Sequence, residues 1–198
     1  MEYDERYTRY QRNRSAFRRF VRQLYLASAT RQLSGPTLDF GCGIGELLRR
    51  LPSGSKGLEY NKDTVTYCRS QGLDVQWYDG FQDDWTLSSI SGATFKSMVL
   101  SHVLEHLDDP GRVLDKLLAA ASNLGVQRVL IVVPGLAGYR SDSTHRTFVD
   151  KELLARALEK NHAWRVVSQR FFPFNFRWIG KLFKHHELQV LLAKSAAS

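Results

Sequence analysis

The sequence predicts an α/β fold, a mostly parallel sheet with helices on both faces and an antiparallel hairpin at one edge. Two observations carry this prediction. Apolar, strand-like runs alternate five times with helical or loop segments along the chain, and such alternation is typical of a parallel sheet covered on both sides. The last two strand-like runs, WRVVSQRFF and ELQVLLAK, follow each other without a convincing helix between them, which indicates an antiparallel pair.

The predicted elements follow in order along the chain. Residues 15–30 predict an amphipathic helix, with Arg18, Arg19 and Arg22 on its solvent side. Its apolar positions recur at helical spacing and are Phe17, Phe20, Val21 and Leu24. After the break at Ser34-Gly35-Pro36, the strand–helix pairs begin with TLDF and GELLRRL and continue with GLEY and KDTVTYCRSQ. LDVQWY precedes a loop rich in Asp, FKSMVLS precedes PGRVLDKLLAAASNL, and RVLIVV precedes a long loop and DKELLARALEK.

Bulk composition narrows the function classes. With 198 residues, 43% apolar and 24% charged, the chain is long enough for one domain with a real core and is not disordered in bulk. It contains neither the run of roughly 20 apolar residues that a membrane helix needs nor an apolar signal core at its N-terminus, so we expect a cytoplasmic protein. Cys42 and Cys68 lack metal-ligand spacing and are expected to be reduced thiols; no metal site is predicted.

The net charge of +8 is concentrated at the two ends. Residues 1–31 carry eight Arg against three acidic residues, and residues 160–198 carry seven Lys or Arg against one. Basic ends of this kind suit an anionic partner, such as a phosphate, an acidic glycan, a lipid head group or RNA. The alternative is a merely soluble surface. Peripheral membrane contact and the oligomeric state stay open.

The stretch LDFGCGIGELL contains glycine at every second position, Gly41, Gly43 and Gly45. The predicted strand ends at Phe40 and the predicted helix begins near Gly45, so the glycines lie where an open parallel sheet binds ligands. Without Cβ atoms, this turn can adopt unusual dihedral angles and approach a ligand closely. The predicted helix N-terminus would favour a carboxylate or a phosphate.

The spacing of these glycines separates two classes of cofactor. Dinucleotide enzymes typically show G-x-G-x-x-G, whereas this chain has D-x-G-x-G-x-G beginning at Asp39. GLEY, the next strand, ends near Glu59, and an acid at that place can accept both hydroxyls of a ribose. Taken alone, Glu59 could equally be an exposed acid at a strand end.

Five segments together carry a family resemblance: LDFGCGIG, GLEYN, VQWYDGF, FKSMVLSHVLEHLDDP and RVLIVVP. They resemble the motifs of class I S-adenosylmethionine-dependent methyltransferases of the small-molecule group, over residues 36 to about 194. The stretch GLEYNKDTVTYCRSQGLDVQWYD also resembles the group related to methionine biosynthesis protein W. The resemblance implies a Rossmann-like, seven-stranded sheet whose last strand is antiparallel. Residues 34–198 would form the methyltransferase domain, and residues 1–33 a basic helical lid within the same single domain.

The resemblance also implies how S-adenosylmethionine would bind. Asp39 would help to hold the methionine part, through its amino group or through a water, Glu59 would bind the ribose diol, and Tyr60 would pack on the adenine. The cofactor-binding positions implied are Asp39, Gly41, Cys42, Gly43, Glu59, Tyr60, Asp79, Gly80, Ser101 and His102. In this scheme Asp79 faces the adenine amine, Gly80 leaves room for the ring, and His102 lies near the sulfonium.

His145, in the long loop after the fifth strand, is the predicted catalytic residue. If the acceptor is a hydroxyl, its proton must leave, and the ordinary pKa of histidine, about 6.5, suits a general base. The alternative is that His145 shapes the loop through local hydrogen bonds. Asp142 is a candidate to orient His145, and His102 is a second candidate base. His106 is expected to organise its loop, with Pro110 opening the next helix and Asp108 or Asp109 capping it.

Three functions are compatible with these observations. The first is a methyltransferase acting on a small-molecule, lipid-intermediate or glycan acceptor, with oxygen as the favoured atom and an anionic acceptor. The second is an RNA or protein methyltransferase, which the SHVLEH segment disfavours because it replaces the Asn-Pro-Pro-Tyr type of motif used for base or amide nitrogen. The third is a non-catalytic module that only binds S-adenosylmethionine. The stretch FFPFNFRWIGKLFKHH, residues 171–186, mixes aromatic and basic residues and suits either an acceptor pocket or a hairpin core.

Overall fold

Seven strands form one sheet in the computed structural model, which describes residues 16–159, 161–173 and 186–195. The strands are β1 (Thr37–Phe40), β2 (Lys56–Glu59), β3 (Val75–Trp77), β4 (Ser97–Ser101), β5 (Arg128–Pro134), β6 (Trp164–Phe172) and β7 (Glu187–Lys194). Their order is β3-β2-β1-β4-β5-β7-β6. Strands β1 to β5 run parallel to one another, and β7 is antiparallel to both of its neighbours, β5 and β6. The predicted α/β sheet with an antiparallel hairpin at one edge is confirmed.

Five helices accompany the sheet in the described residues: α1 (Ala16–Thr30), α2 (Lys62–Ser70), α3 (Pro110–Asn123), α4 (Leu136–Arg140) and α5 (Lys151–Leu158). Side-chain caps fix where three of them begin. Asn61 accepts from two backbone amides at the start of α2, and Asp150 accepts from one at the start of α5. Asp109 caps α3 and Pro110 is its first residue, as predicted. No helix in the described part of the chain has the length and apolar character needed to cross a membrane.

The sheet separates two layers of core, because successive side chains of a strand point to opposite faces. Met98 and Leu100 of β4 pack on one face with residues of α3, α5 and the hairpin. Val99, between them, packs on the other face in a cluster that includes Tyr25 and Leu26 of α1. The predicted arrangement of helices on both faces is therefore observed.

The buried face of α1 differs from the predicted one. Leu24 was expected in the core, but it is 45% exposed, whereas Tyr25, Leu26 and Ala29 are buried. Arg22 lies one turn before these buried residues, on the same face of α1. Its guanidinium Nε donates to Glu46 Oε2 at 3.0 Å. A long basic side chain can bury its stem while its head group is paired, and a pattern that assigns every Arg to solvent misses this.

The prediction of an α-helix that begins near Gly45 is also wrong. Only a short 3₁₀ turn, Leu48–Arg50, follows β1. Gly45 has a left-handed φ of +74°, and Pro52 disfavours a helical conformation in the residue before it. Between these two restricted positions the chain forms only the 3₁₀ turn.

Two predicted features fall partly outside the described residues. The lid over residues 1–33 stays a prediction, since the structure describes that segment from residue 16 onwards and there α1 packs on the sheet. In the stretch 171–186, residues 174–185 lie outside the described residues. Phe171 packs against one core layer and Phe172 against the other. His186 is fully buried and stacks on Phe171 with ring centroids 4.9 Å apart.

Candidate active site

The glycine turn after β1 makes close contacts with its own neighbours. Gly41, Gly43 and Gly45 have φ values of +72°, +54° and +74°, a region that glycine adopts without the strain a Cβ would bring. A Cβ on Gly41 would lie 2.6 Å from Cγ2 of Val103, and one on Gly45 would overlap the side chain of Leu73. Two of the three glycines are therefore required by packing inside the protein.

The backbone amides of this turn already have acceptors. The amides of Gly41 and Cys42 both donate to the carbonyl of Leu58, at 2.9 and 3.0 Å, and the amide of Gly43 donates to Oε2 of Glu59 at 2.9 Å. Because no α-helix begins here, the expected N-terminal site for a carboxylate or phosphate is not formed. The turn is instead a rigid support beside two acids.

Asp39 lies in β1, two residues before the first glycine of the turn. It is 2% exposed, and its Oδ2 has no hydrogen-bond partner among the described residues. Burial raises the pKa of Asp39 to about 7, with the guanidinium of Arg22 opposing and Glu59 adding to the rise. An unpaired buried carboxylate is costly, and a cationic group of a ligand is the partner that would relieve that cost.

Glu59 joins the turn to the end of β2. Its Oε2 accepts from Gly43, and its Oε1 accepts from the amide of Asn61 at 2.8 Å. Burial raises the pKa of Glu59, and the same backbone hydrogen bonds work in the opposite direction. Each carboxylate oxygen keeps a lone pair for a further donor. Tyr60 follows directly and is 52% exposed, so its ring is accessible to a flat ligand.

Other predicted cofactor residues have structural contacts. Asp79 Oδ1 accepts from the amides of Phe81 and Gln82 at 2.9 and 3.4 Å, so it stabilises the turn after β3. The space beside Gly80 is taken by the indole ring of Trp85, which a Cβ on Gly80 would overlap. The room that glycine provides here is therefore used by the protein itself.

Cys42 and Cys68 meet at the same turn, although 25 residues separate Cys68 from Gly43. Both thiols point to the carbonyl oxygen of Gly43, with Sγ–O distances of 3.6 Å for Cys42 and 3.3 Å for Cys68. Both cysteines are free thiols. Cys42 therefore contributes to the shape of the turn through its side chain as well as its backbone.

Ser101 and His102 lie at the carboxyl end of β4, as predicted. Ser101 Oγ is 2.6 Å from the hydroxyl of Tyr25. His102 has a left-handed φ of +56°, and its two ring nitrogens lie 3.1 Å from Glu105 Oε1 and 3.0 Å from Glu187 Oε1. Burial alone would lower the pKa of His102, but the two glutamates raise it to about 10. A histidine whose pKa is raised in this way is a poorer proton acceptor at neutral pH, which disfavours His102 as the base.

His145 is held by the loop that contains it. Its Nδ1 lies 2.8 Å from the carbonyl of Tyr139, whose ring stacks on the imidazole with centroids 5.6 Å apart. Its Nε2 lies 4.0 Å from Oε1 of the buried Glu105. Asp142, the expected orienting residue, binds Thr144 with its carboxylate instead, because the tight turn places the amide and hydroxyl of Thr144 closer. His106 also binds Thr144, which agrees with its expected role in organising the loop.

Four residues at this edge of the sheet were missed by the sequence analysis: Arg22, Tyr25, Glu105 and Glu187. Glu105 is fully buried and contacts both His102 and His145. Arg22 and Tyr25 reach the site from α1, and Glu187 reaches it from β7. None of the four belongs to a glycine motif, and the only signal was that Glu105 lies between two histidine-containing positions, His102 and His106.

Comparison with known proteins identifies the family. The family model described as a methyltransferase domain matches residues 8–193. The chain belongs to the methyltransferase-domain family. The resemblance to class I S-adenosylmethionine-dependent methyltransferases is confirmed, and with it the predicted cofactor of this methyltransferase, S-adenosylmethionine. None of the curated proteins searched matches the sequence.

Solved structures share the fold of this methyltransferase. A SAM-dependent methyltransferase from Archaeoglobus fulgidus is 24% identical, with a TM-score of 0.66, over 88% of this chain and 94% of that one. The magnesium protoporphyrin IX methyltransferase from Synechocystis, solved with bound SAM, is 12% identical, with a TM-score of 0.59, over 89% and 79%. The plantazolicin methyltransferase, solved with a desmethyl analogue and SAH, is 15% identical, with a TM-score of 0.64, over 98% and 92%.

Proposed function

We propose that the protein transfers a methyl group from S-adenosylmethionine to a hydroxyl of a small, anionic acceptor, with His145 as general base. The observation that carries this proposal is the hydrogen bond from His145 Nδ1 to the carbonyl of Tyr139. A carbonyl oxygen only accepts, so Nδ1 carries the proton of the neutral ring and the lone pair lies on Nε2. The buried carboxylate of Glu105, 4.0 Å from Nε2, would stabilise the imidazolium that forms.

The proposed step needs little from the protein beyond placement. The acceptor oxygen attacks the methyl carbon while the carbon–sulfur bond breaks, the sulfonium becomes a neutral thioether, and the hydroxyl proton passes to Nε2 of His145. Because the cofactor supplies a reactive methyl group, alignment of oxygen, carbon and sulfur is the main contribution, and such orientation is worth roughly 7–11 kcal/mol.

Two observations support the nature of the acceptor. The similar structures include methyltransferases named for magnesium protoporphyrin IX and plantazolicin, which favours a small-molecule or natural-product acceptor. The positive charge at both ends of the chain supports an anionic one. Seven of the fifteen Lys and Arg residues in the two ends lie in residues 1–15 and 174–185, outside the described residues.

The test begins with S-adenosylmethionine labelled in its methyl group and a fractionated cell extract. Label in small molecules, lipid or glycan supports the proposal, and the methyl ¹³C shift of the purified product separates an O-methyl from an N-methyl group. Label in RNA or protein contradicts it, and cofactor binding without any label supports the non-catalytic alternative.

His145→Ala should lower turnover of the purified acceptor while leaving the affinity for S-adenosylhomocysteine unchanged. His162→Ala, at an exposed position outside the site, is the matched control and should keep full activity. Full activity in His145→Ala would show that His145 is not the base.

A further inference from the structure

Three side chains with metal-ligand atoms converge where the loop after β4 meets the loop after β5. Glu105 and His106 belong to the 3₁₀ turn Leu104–His106, and His145 lies in the loop between α4 and α5. One ligand atom from each residue lies within 4.8 Å of the other two. The imidazole rings of His106 and His145 are arranged edge to face, with centroids 4.9 Å apart.

Both imidazole rings have the hydrogen bonds that metal-binding histidines have. Nδ1 of His145 lies 2.8 Å from the carbonyl of Tyr139, and Nδ1 of His106 lies 3.3 Å from the carbonyl of Thr144. The hydroxyl of Thr144 lies nearer to His106 Nδ1, at 3.1 Å, but it donates its own proton to Asp142 Oδ1 and so acts as an acceptor here too. A carbonyl accepts only, so in each neutral ring Nδ1 is the donor and the lone pair is on Nε2. A metal-bound histidine usually donates its other N–H to a carbonyl or carboxylate in this way, which fixes both tautomer and ring orientation.

Glu105 supplies the second, independent observation. It is fully buried, and its Oε2 has no hydrogen-bond partner among the described residues. Its Oε1 is shared with His102 Nδ1 at 3.1 Å. A buried carboxylate oxygen without a donor is costly, and a cation bound at Oε2 would relieve that cost.

The backbone holds the two loops together before any ligand binds. The carbonyl of Glu105 accepts from the amides of Arg146 and Thr147, at 2.8 and 3.1 Å. These two bonds fix the segment that carries His145 against the turn that carries Glu105 and His106. The three donors are therefore preorganised, and an ion would not have to order a flexible loop in order to bind.

We propose that Glu105, His106 and His145 bind one divalent transition-metal ion of the class that Zn²⁺ and Co²⁺ represent. Two imidazoles and one carboxylate suit this class, whereas Mg²⁺ and Ca²⁺ prefer oxygen ligands. In a tetrahedral zinc site with bonds of about 2.0–2.2 Å, donors stand about 3.5 Å apart, so the donors must move closer by about 1 Å. Three protein ligands leave a coordination position open, which is typical of catalytic rather than structural sites.

The ion site does not depend on the identity of the methyl acceptor. If the acceptor is a hydroxyl, the open position would bind its oxygen, and the ion would lower the pKa of that hydroxyl so that its proton passes to solvent water before the oxygen attacks the methyl group. In the metal-bound protein, His145 is a ligand of the ion and no longer the base, because the lone pair on its Nε2 is shared with the ion. Turnover that requires added Zn²⁺ or Co²⁺ and is lost with a chelator would separate this route from a metal-free base.

The test is a titration of untagged, chelator-treated protein with Co²⁺, followed by its visible absorption and by displacement with Zn²⁺. We expect one equivalent of Co²⁺ with the spectrum of nitrogen and oxygen ligands. His106→Ala and His145→Ala should each bind Co²⁺ at least tenfold more weakly. His162→Ala should bind it as the wild type does, and the affinity of every variant for S-adenosylhomocysteine reports whether it is folded.

Two results would overturn the proposal. One is Co²⁺ binding in the His106→Ala/His145→Ala double variant that equals that of the wild type. The other is a spectrum with thiolate charge-transfer bands, which would place the ion at the cysteines near Gly43. A protein that binds Co²⁺ as expected but forms no O-methylated product would contradict the proposed function alone, so the two failures can be told apart.

Discussion

Asp39→Asn tests whether the buried acid of β1 binds the amino group of the cofactor. The pKa of Asp39 is raised to about 7, whereas an unfolded chain gives about 3.9. Between these values the folded protein holds a proton that the unfolded chain releases. The protonated acid therefore stabilises the apo protein at low pH, and this contribution is lost as the pH rises through about 7.

The size of the effect follows from the two pKa values. The difference between about 3.9 and about 7 corresponds to about 4 kcal/mol at pH 7.5. Burying an unpaired amide at the same place costs about 1–3 kcal/mol. Asp39→Asn should therefore raise the free energy of unfolding of the apo protein at pH 7.5 by at least about 1 kcal/mol, while weakening cofactor binding at that pH because the ammonium group loses its anion.

The pH dependence of cofactor affinity is the sharper readout. If the carboxylate form binds the ammonium group, affinity should rise about eightfold from pH 6 to pH 7.5 for a pKa of about 7. Calorimetry with S-adenosylhomocysteine in buffers of different ionisation enthalpy should detect about three-quarters of a proton released at pH 6.5. Asp39→Asn should show neither effect.

A matched control and a companion variant make the result decisive. Asp63→Asn removes an exposed acid in the first turn of α2 and should leave both effects unchanged. Arg22 lowers the pKa of Asp39, so Arg22→Leu should move the rise in affinity to higher pH. A wild-type affinity that is flat from pH 6 to 7.5, or a pH dependence that persists in Asp39→Asn, would refute the assignment of the amino group to Asp39.

Two further variants test the predicted ribose contact of Glu59 and the packing around Gly80. Glu59→Ala should weaken cofactor binding at least tenfold, about 1.4 kcal/mol. A double-mutant cycle with a 2′-deoxyribose cofactor analogue separates a lost ribose contact from a loosened turn at Gly43. Additive losses in that cycle would show that Glu59 does not bind the ribose. Gly80→Ala should lower the free energy of unfolding by about 1–3 kcal/mol in urea titrations because its Cβ overlaps Trp85. Gly111→Ala, where a Cβ meets its nearest neighbour at 3.7 Å, should be neutral or stabilising, and equal losses in both variants would contradict the packing argument.

Most of the architecture could be predicted because its signals are local. Strand–helix alternation and the apolar runs of β4 and β5 depend on residues close in sequence, as do the caps Asn61 and Asp109. The α-helix predicted after β1 is wrong because the prediction relied on the apolar spacing of that segment and did not take account of Pro52. The apolar face of α1 was mispredicted because Arg22 was assigned to solvent, although Glu46 pairs with it inside the structure.

The sequence by itself determined the fold class, the family and the turn that carries Asp39 and Glu59, since these follow from periodicity and from motifs of fixed spacing. Tertiary structure alone decided which side chains meet at the carboxyl end of the sheet. It placed both thiols on Gly43, put His102 between two glutamates that raise its pKa, and brought His145 to Glu105 and His106. The physical reason is that hydrogen bonds and charge–charge interactions depend on distance in space, and side chains far apart in the sequence have no spacing rule that brings them together.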